Sequence, residues 1–307
     1  MRSLVDMDTI QIEITNACPR LFLCSNCTRM GQHMEKPFFM EFDQFKEAVD
    51  SMVGYPRMVG MMGGEPLIHP QFEKFCEYML SKIPRERLGL WTALPDGREE
   101  YASIICETFN YVFLNDHTRG DIYHHPFLVG INEIVPKKEE IFVHINRCEF
   151  QHSWSASINP NGAFFCEIAA SLAMLYNRKG WPVYPGWWWK TPKDFTSQIE
   201  EFCPMCGGSV PLNRRCSVER IDDISPWHYE QLKDRSPKIK KGLYAVHDLK
   251  ISQCPQQMAA YKDLDYRDKI AARYGMYLTI TPDGFWEPHM GIKPPSLFSK
   301  LQEWYGD

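Results

Sequence analysis

The stretch "CPRLFLCSNCTRMGQH" (residues 18–33) sets three cysteines within ten positions, with gaps of five residues and then two. It follows "IQIEIT" (10–15), where isoleucine alternates with polar residues as in a β-strand. Three thiolates from one loop satisfy three corners of a four-iron cubane and leave one iron open to a small molecule. They also make most of a tetrahedral zinc site that a distant fourth ligand completes. Spacing alone leaves both open.

Moving outward, the first half alternates helix and strand patterns. "EFDQFKEAVDSM" (41–52) carries Phe42, Phe45, Val49 and Met52 at helical spacing, and "RMVGMMGG" (57–64) is an apolar strand ending in glycines. A helix over 70–83, a strand over 88–94, a helix over 99–109 and a strand over 111–116 follow, with short strands near 127–134 and 141–146. Repeated βα units imply parallel strands with right-handed crossovers, and chemistry at the carboxyl ends of the strands. The cysteine loop and the glycines therefore belong to one rim.

The chain has 307 residues, 44% of them hydrophobic, enough for a large core. Its 34 basic and 39 acidic residues give a net charge of −5, which argues against a nucleic-acid partner. Asp6 and Asp8 interrupt any signal sequence, and no apolar run approaches the roughly 20 residues of a membrane span. A cytoplasmic protein without membrane association is expected, so the 11 cysteines point to metal ligation rather than disulfides.

After residue 147 the pattern changes. "WSASINPNGAFFCE" (154–167) is a hairpin turning at Asn159-Pro160-Asn161-Gly162, followed by a short helix "IAASLAMLY", the aromatic run "WPVYPGWWWK" (181–190) and "CPMCGG" (203–208). A second hairpin is expected over 276–289. The domains expected are 1–147 and 148–307.

"MMGGEPLIHP" (61–70) puts Gly63, Gly64 and Glu65 directly after the second strand. Paired glycines let a backbone approach a ligand, and Glu65 offers an acceptor to a cationic group. With a three-cysteine loop after the first strand and Gly-Gly-Glu-Pro after the second, residues 8–147 resemble the radical S-adenosylmethionine (SAM) superfamily. The resemblance implies an α/β fold, a partial (β/α)6 barrel similar to a TIM barrel. It makes Cys18, Cys24 and Cys27 the ligands of a SAM-binding [4Fe-4S] cluster, and Gly63, Gly64 and Glu65 the holders of the methionyl amino group. Thr92, Asn115 and Asp116, at later strand ends, are candidates for the remaining SAM contacts. The chain departs from the usual C-x3-C-x2-C spacing with C-x5-C-x2-C, and Asn26 stands where an aromatic residue is frequent. The implied chemistry is reductive cleavage of SAM to a 5′-deoxyadenosyl radical that takes a hydrogen atom from substrate.

Cys148, Cys166, Cys203 and Cys206 resemble the Twitch module, a shortened SPASM domain holding an auxiliary [4Fe-4S] cluster. Thirteen residues separate Cys148 from Gly162, three separate Gly162 from Cys166, and 36 precede the C-x2-C pair. A structural zinc site, completed by Cys216 or Cys166, is the competing reading of the same residues.

Glu167 and His152 are candidate bases for a substrate carbinol, and Cys216 or Cys254 a candidate hydrogen-atom donor. His69 is expected to cap a helix, His124 and His125 to lie in an exposed loop, and the tryptophans of 181–189 to pack rather than to form a sugar platform. Oxidation or epimerisation of a small molecule, a sugar or glycan precursor, is the function expected, with a flavodoxin or ferredoxin as electron donor. With the first strand starting near residue 10, no leader-peptide-binding domain is expected. The alternatives are a peptide-modifying radical SAM oxidoreductase and a zinc-stabilised binding protein without catalysis.

Overall fold

A computed structural model describes residues 1–115, 117, 120, 122–253, 277–280 and 286–289. The first half runs β1 (Thr9–Thr15), α1 (Phe42–Ser51), β2 (Met58–Gly63), α2 (Phe72–Lys82), β3 (Leu88–Thr92), α3 (Ala102–Thr108) and β4 (Tyr111–Leu114). Phe45 of α1 and Phe75 of α2, both at core positions of the helical period, stack at 4.0 Å with 11° between ring planes. His69 accepts the backbone N–H of Gln71 through Nδ1, at 3.1 Å, which shapes the turn before α2; the N-cap itself is Gln71, without a side-chain cap, so the expected capping by His69 is not found.

Next come β5 (Tyr123–His124), α4 (Ile131–Ile134), α5 (Lys138–Asn146), α6 (Glu149–Ser153), β6 (Ala156–Asn159), β7 (Gly162–Phe164), α7 (Glu167–Tyr176) and α8 (Thr196–Phe202). The chain continues with β8 (Arg215–Cys216), β9 (Asp222–Ile224), α9 (Pro226–Leu232), α10 (Pro237–Lys240), β10 (Tyr244–Val246), β11 (Tyr277–Ile280) and β12 (Trp286–His289).

One eight-stranded sheet in the order β12-β11-β4-β3-β2-β1-β6-β7 organises the fold. Strands β4, β3, β2, β1 and β6 are mutually parallel, whereas β7 and β11 add antiparallel neighbours. The class is mixed α/β, as expected. Short strands near 127–134 and 141–146 are not found: those residues enter α4 and α5. Ile141 and Ile145 are buried four apart, with Glu139 and Glu140 in the first turn of α5, so a short apolar run resolves as helix. The places flanking the four βα strands go instead to β11 and to the hairpin β6–β7, which turns where the sequence placed it.

All seven residues of β1 are buried. Strands of a parallel sheet are covered on both faces, so the polar half of this alternation, Gln11 and Glu13, lies inside along with Ile10, Ile12 and Ile14. In the register, Gln11 stands opposite Gly60 on one side and Ser157 on the other, and Glu13 opposite Met62.

Trp187 and Trp188 are buried, and their indole N–H groups donate to the Ser51 Oγ (3.3 Å) and carbonyl (3.1 Å) at the end of α1. These two pack, as expected, while Trp189 is exposed.

The carboxyl ends of β1 and β2 are zipped together. Gly64 N–H donates to the Thr15 carbonyl at 2.7 Å and Glu65 N–H to the Ala17 carbonyl at 2.8 Å. A Cβ on Gly64 would stand 2.3 Å from the Ala17 oxygen, and one on Gly63 2.3 Å from the Thr15 oxygen. The close approach these glycines permit is between two strand ends. Gly64→Ala should therefore force the rim apart and cost about 1–3 kcal/mol in urea unfolding, as overpacking does.

Candidate functional site

The cysteine loop leaves β1 at this rim. Burial pushes the Cys18 thiol up to about 12 and Cys27 to about 11, and it also raises Cys24. Each sulfur also feels the others: Cys24 and Cys27 raise Cys18, and Cys24 raises Cys27. The thiols of Cys18, Cys24 and Cys27 thus lie near enough to act on one another electrostatically, in a site that penalises bare thiolate. Backbone N–H groups already point at two of them, Arg20 N at 3.4 Å from Cys18 Sγ and Arg29 N at Cys27.

The loop is held by a segment almost two hundred residues later. Asp222, fully buried, accepts from His33 Nε2 (2.8 Å), Gln32 Nε2 (3.0 Å), Lys238 Nζ (2.8 Å) and the backbone N–H of Asn26. Lys238, also fully buried, donates to the Cys24 carbonyl at 2.6 Å. Burial would raise the Asp222 carboxyl, but His33 and Lys238 outweigh it and bring it to about 2. Asn26 takes the left-handed backbone conformation (φ 46°), which asparagine tolerates better than an aromatic residue does. Its amide exchanges hydrogen bonds with Asp223, Nδ2 to Oδ2 at 2.9 Å and Asp223 N–H to Oδ1 at 2.7 Å.

The expected exposed loop at His124 and His125 is not exposed. His124 donates through Nδ1 to the Ser25 carbonyl at 2.6 Å, another tie on the cysteine loop. His125 is buried against Phe127 and Phe150, donates to the Gly207 carbonyl at 2.9 Å, and is driven down to about 3 chiefly by that burial. The short-strand and helix contacts around it turn this dipeptide inward.

Glu65 lies beside the loop, close enough to raise Cys18. It is buried, with Oε1 accepting from Leu67 N–H (3.1 Å) and the Thr92 hydroxyl (2.6 Å), and Oε2 accepting from Ala93 N–H (2.8 Å). Three donors fix its orientation and leave carboxylate lone-pair capacity for one more. Thr92 thereby positions Glu65; its own oxygen accepts from Leu94 N–H at 3.0 Å. Asn115 is exposed beyond β4, and its N–H donates to the Thr92 carbonyl at 2.8 Å. Asp116 and Cys254 lie outside the described residues.

The second set of cysteines gathers. Cys148, Cys166, Cys203 and Cys206 line one largely apolar cavity, together with Phe127 and Phe150. Burial pushes Cys206 up to about 12 and raises Cys166 and Cys203 strongly; the neighbouring thiols add to each shift. Gly208 N–H donates to Cys206 Sγ at 3.3 Å. Among the described residues, no group of three or more His, Cys, Asp or Glu side chains is drawn close enough to chelate a single ion.

The candidate catalytic residues are not brought together. Glu167 opens α7 inside the fold. His152 lies on α6, where its carbonyl accepts from Arg2 at 3.1 Å. Cys216 lies on β8, paired with β5, its thiol donating to the Gly120 carbonyl at 3.2 Å.

Between the two cysteine sets stands Arg29, which the sequence reading passed over. Its guanidinium donates to Glu167 Oε2 at 2.6 Å and lies 3.9 Å from Glu13, all three side chains being almost wholly buried. Both Cys27 and Cys166 act electrostatically on it. Glu13, driven mainly by burial, rises to about 7. The signals that were available are a basic residue two positions after the last loop cysteine, and a polar strand face next to a covering module.

No protein-family model matches the chain, and no curated protein does. Two solved structures are similar to it. BtrN in complex with AdoMet and 2-DOIA shares 14% identity, covering 65% of this chain and 88% of BtrN with a TM-score of 0.41. Selenomethionine BtrN in an open conformation shares 15% identity over 65% of this chain and 86% of BtrN, also at 0.41. Among the described residues no helix is long and apolar enough to cross a membrane.

Asp222→Asn should leave Lys238 as an unpaired buried charge and cost about 3–5 kcal/mol in urea unfolding. Adding Lys238→Met to that variant should recover part of the loss, a coupling that a double-mutant cycle measures.

Proposed function

We propose that the chain is a radical SAM enzyme that takes hydrogen from a small molecule, a sugar or glycan precursor, and so oxidises or epimerises it. The observation that carries this reading is that Cys18, Cys24 and Cys27, in one loop, lie within electrostatic reach of one another and of the buried Glu65, at one rim of a parallel sheet. A reduced [4Fe-4S] cluster with bound SAM supplies a 5′-deoxyadenosyl radical at such a rim.

The chain's own part is to bind, orient and exclude water. Cys18, Cys24 and Cys27 hold three irons, and the N–H groups of Arg20 and Arg29 offset thiolate charge. Glu65, fixed by Thr92 and Ala93, accepts from the methionyl ammonium, while Gly63 and Gly64 keep its strand end against β1. Thr92 and Asn115 border the rest of the SAM site. Cys148, Cys166, Cys203 and Cys206 hold an auxiliary [4Fe-4S] cluster in their cavity, within a Twitch-like region spanning 148–307. Glu167 is the proton acceptor of the inner face, oriented by Arg29 at 2.6 Å and by the Ser155 hydroxyl at 3.2 Å. Burial raises the carboxyl, against the opposing pull of Arg29 and Ser155. A flavodoxin or ferredoxin supplies the electron.

Anaerobic purification should yield a brown protein with about eight irons and eight sulfides per chain, four for each cubane. A colourless protein carrying one or two zinc ions would instead favour a structural, non-catalytic role. Cys24→Ala should abolish formation of 5′-deoxyadenosine, measured by chromatography after dithionite reduction; undiminished formation refutes the ligand assignment. Cys203→Ala should spare SAM cleavage more than product formation.

A further inference from the structure

The inner face of the sheet carries a set of buried acceptors with nothing to accept. Gln11 Oε1, both carboxylate oxygens of Glu13 and Ser157 Oγ are buried without a hydrogen-bond partner. They share one face, since Gln11 is in register with Ser157 and Glu13 lies two residues further along β1. Asn159 lies close to Glu13, but one of its two amide hydrogens goes to the Ala170 carbonyl at 2.9 Å and its oxygen accepts from Asn161 N–H at 2.8 Å, so it has at most one hydrogen left for the Glu13 carboxyl. The Arg29 guanidinium is committed to Glu167 and reaches Glu13 only at 3.9 Å.

Charge and hydrogen-bond type both select the missing partner. Glu13 and Glu167 face the single guanidinium of Arg29, so a further anion such as a phosphate or carboxylate is disfavoured there. Carboxylate and amide oxygens only accept, so the partner must bring N–H or O–H groups. Leaving such groups unpaired opposes folding, and folding alone gives no reason to keep them.

An aromatic wall adjoins these acceptors. Gly60 is the β2 neighbour of Gln11, and a Cβ there would stand 2.3 Å from the Trp91 ring. The indole therefore lies over the strand next to Gln11, backed by Phe113 at 3.9 Å with 5° between planes. An aromatic face of this kind favours a cation and the C–H face of a ring.

We propose that Gln11, Glu13 and Ser157, flanked by Trp91, form a recognition subsite for the ammonium group of a hydroxylated small molecule. This deepens the reading above, on which it rests for placing the substrate against the inner face.

The test compares glucosamine with glucose, which differ by the ammonium, in calorimetric binding to the anaerobic holoprotein at pH 7 without SAM. Glucosamine should bind at least tenfold more tightly, and the ratio should fall below threefold in Glu13→Gln. That variant keeps the size of the side chain and one of its acceptor oxygens while removing the charge, so it should fold as wild type does. Should it fail to fold, Ser157→Ala carries the test, with glucosamine weakened threefold or more and glucose unchanged. Equal affinities, no binding of either probe, or an undiminished ratio in the variants overturns the subsite; equal affinities would assign the acceptors to ordered water. Formation of 5′-deoxyadenosine by the wild type is measured separately, so the subsite and the SAM reading fail independently.

Discussion

The buried pair of Lys238 and Asp222 is the constraint on which the rim depends. A loop of sixteen residues with two left-handed positions, Asn26 and Met30, has little regular structure of its own. It is fastened by a lysine at the Cys24 carbonyl, a carboxylate at the Asn26 N–H, and histidines at either end, His33 inside and His124 against Ser25. Burying two charges is expensive, and the expense is offset here by four donors on the two oxygens of Asp222. The later half of the chain thereby sets where the sulfurs of the first half stand.

The same economy is absent across the sheet. On the inner face of β1 and β6, acceptors are left open and a guanidinium is shared unequally between two carboxylates. The Asp222 carboxylate is fully used by donors, whereas the Glu13 carboxylate has its oxygens open. Arg29 joins the two regions, with its main chain at Cys27 and its side chain at Glu167, next to Cys166.

Much of the architecture was legible because it rests on local periodicity. The helices over 42–51 and 72–82, four βα strands and the hairpin at Asn159–Gly162 follow from apolar spacing and turn residues. Residues 127–134 and 141–146 were misread because a short β-branched run fits either period, and only burial of Ile141 with Ile145 decides it. The thiols of each set could be grouped from motif order. Asp222, Lys238 and His33 could not, since their pairing spans about 190 positions and no local pattern marks a buried lysine. Glu13 was hidden differently: alternation along a strand distinguishes its two faces without saying that the second is covered.

The way the cysteine loop is fastened bears on how the protein matures. In small zinc modules the metal itself drives folding, and its removal unravels the chain. Here carboxylate, ammonium and imidazole groups shape the loop independently of its sulfurs, so the polypeptide can finish folding first and wait. On the function proposed above, loading such a cradle would expel protons from thiols that burial keeps neutral, and alkaline conditions would favour it. Assembly of the inorganic core would then be a late, acid-releasing event rather than the trigger of chain collapse.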